Sequence, residues 1–313
     1  MLWLIIAIIS YFFLAVVYLF DKYLLGSGIP NPKIFVFYVG FLGGLAVFIA
    51  PFVNFFIPDI WQIFLSLLSG IFLVYGLFWF YSALRKFEAS RVISTIGGLS
   101  PIMTFGLVYL FSRGKEILSF HQTIAFVLLV IGSVLIVLKK QKLVSLESFG
   151  VSMVAAFLFS LSFVISKYVY IAQPFWNAFI WMRIGGVLAA FTFIFSPEVR
   201  KEIFSKLNLT GLKAGSNKGR KKTKTAIIFI ASQAMGAGAS ILQNVAIAIA
   251  PLSAISIINA LQGVQYVFLL FFTTFLSVKF PEIIKEEISK EIIFQKLFAI
   301  LLICLGLFIL AIK

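Results

Sequence analysis

An all-α integral membrane protein, with ten transmembrane helices arranged as two inverted five-helix repeats, is the fold class this sequence predicts. Three observations carry that expectation. Ten apolar stretches of membrane-crossing length run through the 313 residues. Hydrophobic residues make up 62% of the chain against 12% charged. Landmarks in the first five stretches also recur, in order, in the last five. A soluble domain of this length could not hide so much apolar surface, so lipid must cover the remainder.

A helix crosses the roughly 30 Å of bilayer hydrocarbon with about 20 residues. Leu2–Phe20 meets that demand. It lacks a basic leader and a small-residue cleavage site, so it reads as a retained span and not a signal peptide. The turn-rich run Gly26 to Pro32 separates it from Ile34–Phe56, and Pro58-Asp59 precedes Ile63–Leu84. Val92–Phe111 contains Gly97-Gly98 and Pro101, a group expected to loosen the helix and let it bend. Phe120–Leu138, almost uniformly aliphatic and aromatic, closes the first half. Phe149–Tyr170, Phe175–Phe195, Ala226–Ile249, Leu252–Val278 and Ile293–Ile312 follow, punctuated by Pro174, Pro197 and Pro251. Helices are the economical reading, because a barrel would show shorter, alternating segments.

Two connections are longer. Residues 196–225 are polar and basic, and read as a mobile loop. Residues 280–295 place Phe280, Ile283, Ile284, Ile288 and Ile292 at helical spacing between charges, an amphipathic insert lying in the membrane interface. The chain therefore divides into a first repeat, residues 1–143, and a second, residues 144–313.

The formal net charge is +15. Its distribution argues against a nucleic-acid partner, because the basic residues flank spans or crowd into Arg200 to Lys224 and so favour anionic lipid headgroups. Of the 26 basic residues, all but Arg113, Lys115, Lys167, Arg183 and Lys313 lie in or beside odd-numbered loops. The positive-inside rule then puts those loops in the cytoplasm and both termini outside. Cys304 is the only cysteine and His121 the only histidine, so neither an intrachain disulfide nor a clustered metal site is expected. No P-loop is present and no cofactor is implied.

The internal repeat is visible as ordered matches. Pro32 with Gly43-Gly44 aligns with Pro174 and Gly185-Gly186, and Lys22-Tyr23 aligns with Lys167-Tyr168. Ala83 and Ser90 fall on Ala246 and Ser253, and Gly132 falls on Gly306. Five spans per half is odd, so the halves must insert in opposite orientations, the geometry of alternating access.

Residues Ala83-Leu84 with Glu88-Ala89-Ser90, then Leu99-Ser100-Pro101, Glu116 with Leu118-Ser119, and Gly132 resemble the signature of the EamA family of the drug/metabolite transporter superfamily. The likeness extends over nearly the whole chain as two EamA-like units. Arg183 matches an arginine often found in the second span of a unit, where the first unit has Phe41. The second unit also departs, with Val264 opposite Pro101 and Lys279 opposite Glu116. The resemblance implies that spans one to four and six to nine surround a central cavity, with five and ten peripheral. It also implies cytoplasmic termini, against the charge count. A homodimer through spans five and ten is one arrangement it allows.

Arg183, deep in span seven with no carboxylate at comparable depth in any span, is the sharpest candidate substrate-binding residue. It reads as a cation for a substrate carboxylate or phosphate, or as a structural arginine bonded to neighbouring helices. Ser256, Asn259 and Gln262 share a face of span nine, and Gln243 and Asn244 lie in span eight. Such amides bridge helices or line a wet cavity. Tyr75, Trp79, Tyr81 and Ser94 offer aromatic and hydroxyl contacts from the first half. Asp21 lies only at the end of span one, so a mid-span carboxylate proton relay is not expected. Gly40 with Gly44, and Ser232, Gly236 and Ser240, read as small residues for close helix approach.

These features lead to the expectation of a secondary transporter for small polar metabolites, amino acids or similar organic solutes, in the cell membrane. Its mode would be export, exchange or facilitated diffusion. The alternatives are a non-transporting scaffold and a membrane-embedded lipid-modifying enzyme. The latter is disfavoured because Asp21, Asp59, Glu88 and His121 are scattered.

Overall fold

The computed structural model describes residues 2–24, 31–87, 89–137, 146–201, 217–279 and 290–312. Among them no strand occurs, and ten helical segments are long and apolar enough to cross a membrane. In chain order the spans are Leu2–Tyr23, Pro32–Phe52, Ile60–Lys86, Ala89–Phe111, Phe120–Val137, Leu146–Ala172, Phe175–Phe195, Asn217–Ile249, Leu252–Lys279 and Lys290–Ala311, numbered one to ten below. Large apolar side chains stand exposed on the outside, among them Phe48, Trp61, Phe120 and Phe298. In water such a surface would aggregate, whereas in lipid it is the normal outer face.

Local sequence sets the helix ends. Span two starts at Pro32, behind an Asn31 cap that accepts from the Lys33 amide at 3.0 Å. Asp59 caps span three through the amides of Trp61 and Gln62, at 2.8 and 3.2 Å. Ser119 and Gln122 form a reciprocal capping box at the start of span five. Span four ends where Arg113 and Gly114 turn left-handed, with φ of 53° and 76°. The Gly114 amide reaches back to the Tyr109 carbonyl at 2.8 Å.

Two spans are not single α-helices. Span two changes at Gly44 into a 3-10 helix, Gly44–Phe52, which carries Pro51 inside it. The sequence predicted one uninterrupted helix there. Span nine begins as a 3-10 turn, Leu252–Ala254, continues as Ile255–Ala260, and breaks at Leu261 before Gln262–Lys279. Span four, where loosening was predicted, is a continuous α-helix through Pro101. Its glycines serve packing instead. A Cβ on Gly97 would lie 3.0 Å from the Tyr266 ring, and one on Gly98 would lie 2.7 Å from Val134. The discontinuity thus falls in span nine, the expected repeat partner of span four. Span eight begins at Asn217, nine residues before the predicted start, within the stretch read as a loop. Residues 202–216 of that loop and 280–289 of the expected interfacial insert lie outside the described residues, and the rest of that insert, 290–295, belongs to the helix of span ten.

Contacts at the helix ends fit alternate threading. Lys33 at the start of span two meets Glu198 just after span seven at 2.9 Å, and Lys86 meets Glu147 at 3.5 Å. At the opposite end, the Phe56 amide donates to Asn177 at 3.0 Å. Spans five and ten cross antiparallel through reciprocal glycines. A Cβ on Gly132 would lie 3.1 Å from the Ala299 carbonyl and 2.6 Å from Ile303. One on Gly306 would lie 3.1 Å from the Ala125 carbonyl and 3.0 Å from Leu129. These two spans therefore occupy each other's glycine faces within the chain.

Spans three and seven approach most tightly. A Cβ on Gly70 would come within 1.8 Å of the Met182 carbonyl, and one on Gly185 within 2.2 Å of the Leu67 carbonyl. Gly40 and Gly44 bring span two onto span seven against Ala190 and Val187, the close approach their spacing predicted.

Candidate functional site: a cavity around Arg183

Spans two, three, six, seven and eight leave an internal cavity of about 90 Å³ midway along the bundle. Its walls are mostly apolar or glycine, and its polar lining converges on Arg183. Gly43 on span two lies beside the Arg183 side chain in the cavity wall, with room even for a methyl group. A Cβ there would stand 3.8 Å from the Arg183 side chain.

The Arg183 guanidinium donates to the Ser240 hydroxyl on span eight and lies 4.6 Å from the centre of the Phe179 ring, one helical turn earlier. No carboxylate forms an ion pair with it among the described residues. Asn244 is held beside Ser240, accepting from the Tyr170 hydroxyl at 2.9 Å and donating to the Ser240 carbonyl at 2.8 Å. Gln243 lines the same wall. On the opposite wall the Ser69 and Ser166 hydroxyls bond at 2.7 Å, and Ser69 also donates to the Ser162 carbonyl at 3.2 Å. The site thus combines one cation, two amides and several hydroxyls. That inventory suits a small anion or polar solute, and contains no acid–base or metal machinery.

Of the residues singled out from the sequence, Arg183, Gln243 and Asn244 line this cavity, and Asn259, Ser256, Gln262, Tyr75, Trp79, Tyr81 and Ser94 do not. Asn259 is buried as a clamp between spans four and nine, donating to Ser100 at 3.0 Å and Thr104 at 2.7 Å. Ser256 donates to the Ser253 carbonyl at 3.4 Å within its own turn. Gln262 opens the second helical piece of span nine. Tyr75 bonds Thr192 at 2.8 Å, joining spans three and seven. Trp79 is exposed on the outer surface, and Ser94 is buried within span four. Tyr81 donates to Asp21 at 2.6 Å.

Sequence reasoning passed over Ser69, Ser162 and Ser166, and read Ser240 as a packing residue. The available signal was position. Ser69 falls on Ser232 when Ala83 is laid on Ala246, so hydroxyls recur at matched sequence positions.

No family model and no curated protein matches the chain. Among solved structures, a crystal structure described only as that of a protein superposes with a TM-score of 0.61. The two chains are 16% identical, and 98% of each is covered. At that identity the likeness establishes a shared fold and nothing about activity.

Proposed function

We propose that this protein is a secondary transporter of small polar metabolites in the cell membrane, an EamA-like carrier working by alternating access between two inverted five-helix repeats. The observation that carries the reading is Arg183, a cation at mid-depth facing a cavity, with no carboxylate paired to it among the described residues. A buried arginine is costly, and facing a water-reachable space that admits an anion is the arrangement that relieves the cost.

Two further observations support the inverted repeat. The crossing of spans five and ten is reciprocal, with Gly132 and Gly306 in equivalent places. The Ser69–Ser166 bond between spans three and six also has a counterpart at matched positions, Ser232 with Asp21 between spans eight and one.

The cavity is well below the roughly 300 Å³ of an ordinary ligand pocket, so substrate entry requires a wall to move. Spans three and seven are locked by the Gly70 and Gly185 contacts. Their counterparts, spans eight and two, meet through aromatic edges, Phe229 against Phe35 and Tyr38. That looser contact is where the cavity would widen.

The test is uptake and exchange of labelled carboxylates, amino acids and sugar phosphates in liposomes holding the purified protein. Arg183→Ala should reduce exchange at least about tenfold, the size expected for losing a charge-assisted bond, while the protein still elutes as a folded species. Full exchange by that variant, or no exchange of any solute by the wild type, overturns the reading.

A further inference from the structure

Asp21 has no part in the cavity, yet it is 6% exposed. It sits where spans one, three and eight meet, on the side of the odd-numbered loops. Tyr81 of span three donates to Oδ2 at 2.6 Å, and Ser232 of span eight donates to Oδ1 at 2.9 Å. No basic side chain forms an ion pair with it among the described residues.

We propose that Asp21 is a proton-binding site, and that its proton governs how span eight is fastened to spans one and three and so couples transport to proton movement. The coupling half rests on the carrier reading above. The proton site itself rests on the geometry of the junction.

Both partners are neutral hydroxyls, and each can accept as well as donate. An ionised Asp21 takes two O–H bonds. A protonated Asp21 can give its own O–H to Ser232 or Tyr81 and still accept from the other. Either state is satisfied, which an ion pair with lysine would not permit. How firmly the group holds its proton then depends on water access at the junction, which changes when the helices part.

Among the described residues, no other carboxyl group is recorded in contact with this junction. From its own helix Tyr18 interacts electrostatically with Asp21. Span three supplies Tyr81, and span two supplies Phe35, stacked edge-on to the Tyr81 ring at 4.9 Å. Span eight supplies Ser232, with Phe229 one turn earlier against Phe35. Lys22, next in the chain, and Arg85, one turn beyond Tyr81, are exposed. The equivalent junction of the other half is a serine pair, Ser69 with Ser166, so only one of the two matched junctions can titrate.

Span eight links the carboxyl to the cavity. It carries Ser232, bonded to Asp21, and Ser240, bonded to Arg183. These positions lie about 12 Å apart along the helix. A proton at one bond and an anion at the other therefore act on the same element.

The proton site is tested first without substrate, by infrared titration of the purified protein in lipid nanodiscs from mildly acid to alkaline conditions. The wild type should show a protonated-carboxyl band that disappears with rising pH and is missing from Asp21→Asn. Tyr81→Phe should keep the band and shift its midpoint, which guards against a misfolded Asn variant. Identical titrations of wild type and Asp21→Asn overturn the proposal.

Coupling is then tested in liposomes with the panel of labelled solutes. An imposed pH gradient should drive accumulation by the wild type. Asp21→Asn should exchange solute at a rate within about twofold of wild type and lose the gradient-driven component. Wild-type exchange that ignores the gradient overturns the coupling and leaves the carrier reading intact. Absence of all transport overturns the carrier reading and the coupling with it, and the infrared result still decides the proton site.

Discussion

Arg183 shows how far one residue can be read. A guanidinium amid apolar sequence is conspicuous, and its depth in span seven was legible before any coordinates. Its acceptor, Ser240, was not, because serine is common in membrane helices and its neighbours depend on how spans seven and eight pack. The place of Asp21 at the end of span one held, and its burial was hidden for the same reason. A position near a helix end suggests the interface, whereas the Tyr81 and Ser232 hydroxyls bury it. The glycines make a sharper prediction. Gly70→Ala would drive a methyl into the Met182 carbonyl at 1.8 Å, with backbone on both sides. It should cost about 1–3 kcal/mol, read as a lowered melting temperature in detergent. Gly106→Ala, where nothing lies within 4 Å, should stay within about 0.5 kcal/mol.

At the scale of the element, two polar clamps fix helix ends and breaks. Lys167 of span six donates to the carbonyls of Ala248 and Ala250 at the end of span eight, at 2.9 and 2.5 Å. Lys167→Met removes both bonds, with an expected loss of about 1.5–3 kcal/mol in thermal stability. Asn259 holds the first piece of span nine to span four, beside the break at Leu261. Asn259→Leu should lower stability by about 0.6–1.7 kcal/mol and leave solute affinity unchanged. A large loss of affinity at constant melting temperature would return Asn259 to the binding site. Just outside the membrane, the Ser196 hydroxyl and the Lys33 ammonium hold the Glu198 carboxyl below its ordinary range. A depressed folded value means the contribution is present above the unfolded pKa and fades as pH falls through the folded one. Hydrogen exchange at the 197–200 turn should therefore quicken on acidification, and Glu198→Gln should abolish that dependence.

For the whole molecule, the carrier reading requires that the cavity open to water on one side at a time. Ile247 lines the cavity from span eight, and Cys304 is the lone, exposed thiol. In a Cys304→Ser background, Ile247→Cys should react with a small charged thiol reagent from one face of the membrane only. A transported solute should slow that reaction. Equal silence toward the reagent from both faces would describe a solid bundle and favour a scaffold. The looser contact between spans two and eight makes them the walls expected to part.

Sequence by itself determined the number of spans and most of their ends, and it supplies the ordered landmarks on which the expected repeat rests. Those follow from local physics: twenty apolar residues must cross lipid as helix, proline and capping residues stop it, and repeated landmarks survive in linear order. Tertiary structure decided which polar side chains meet. Asn259 of span nine turned toward Ser100 and Thr104 of span four and not toward Arg183, and the break at Leu261 interrupts the helical face it was expected to share with Gln262. A helical face fixes which residues look the same way, and only the packing of the neighbouring helices fixes what they look at.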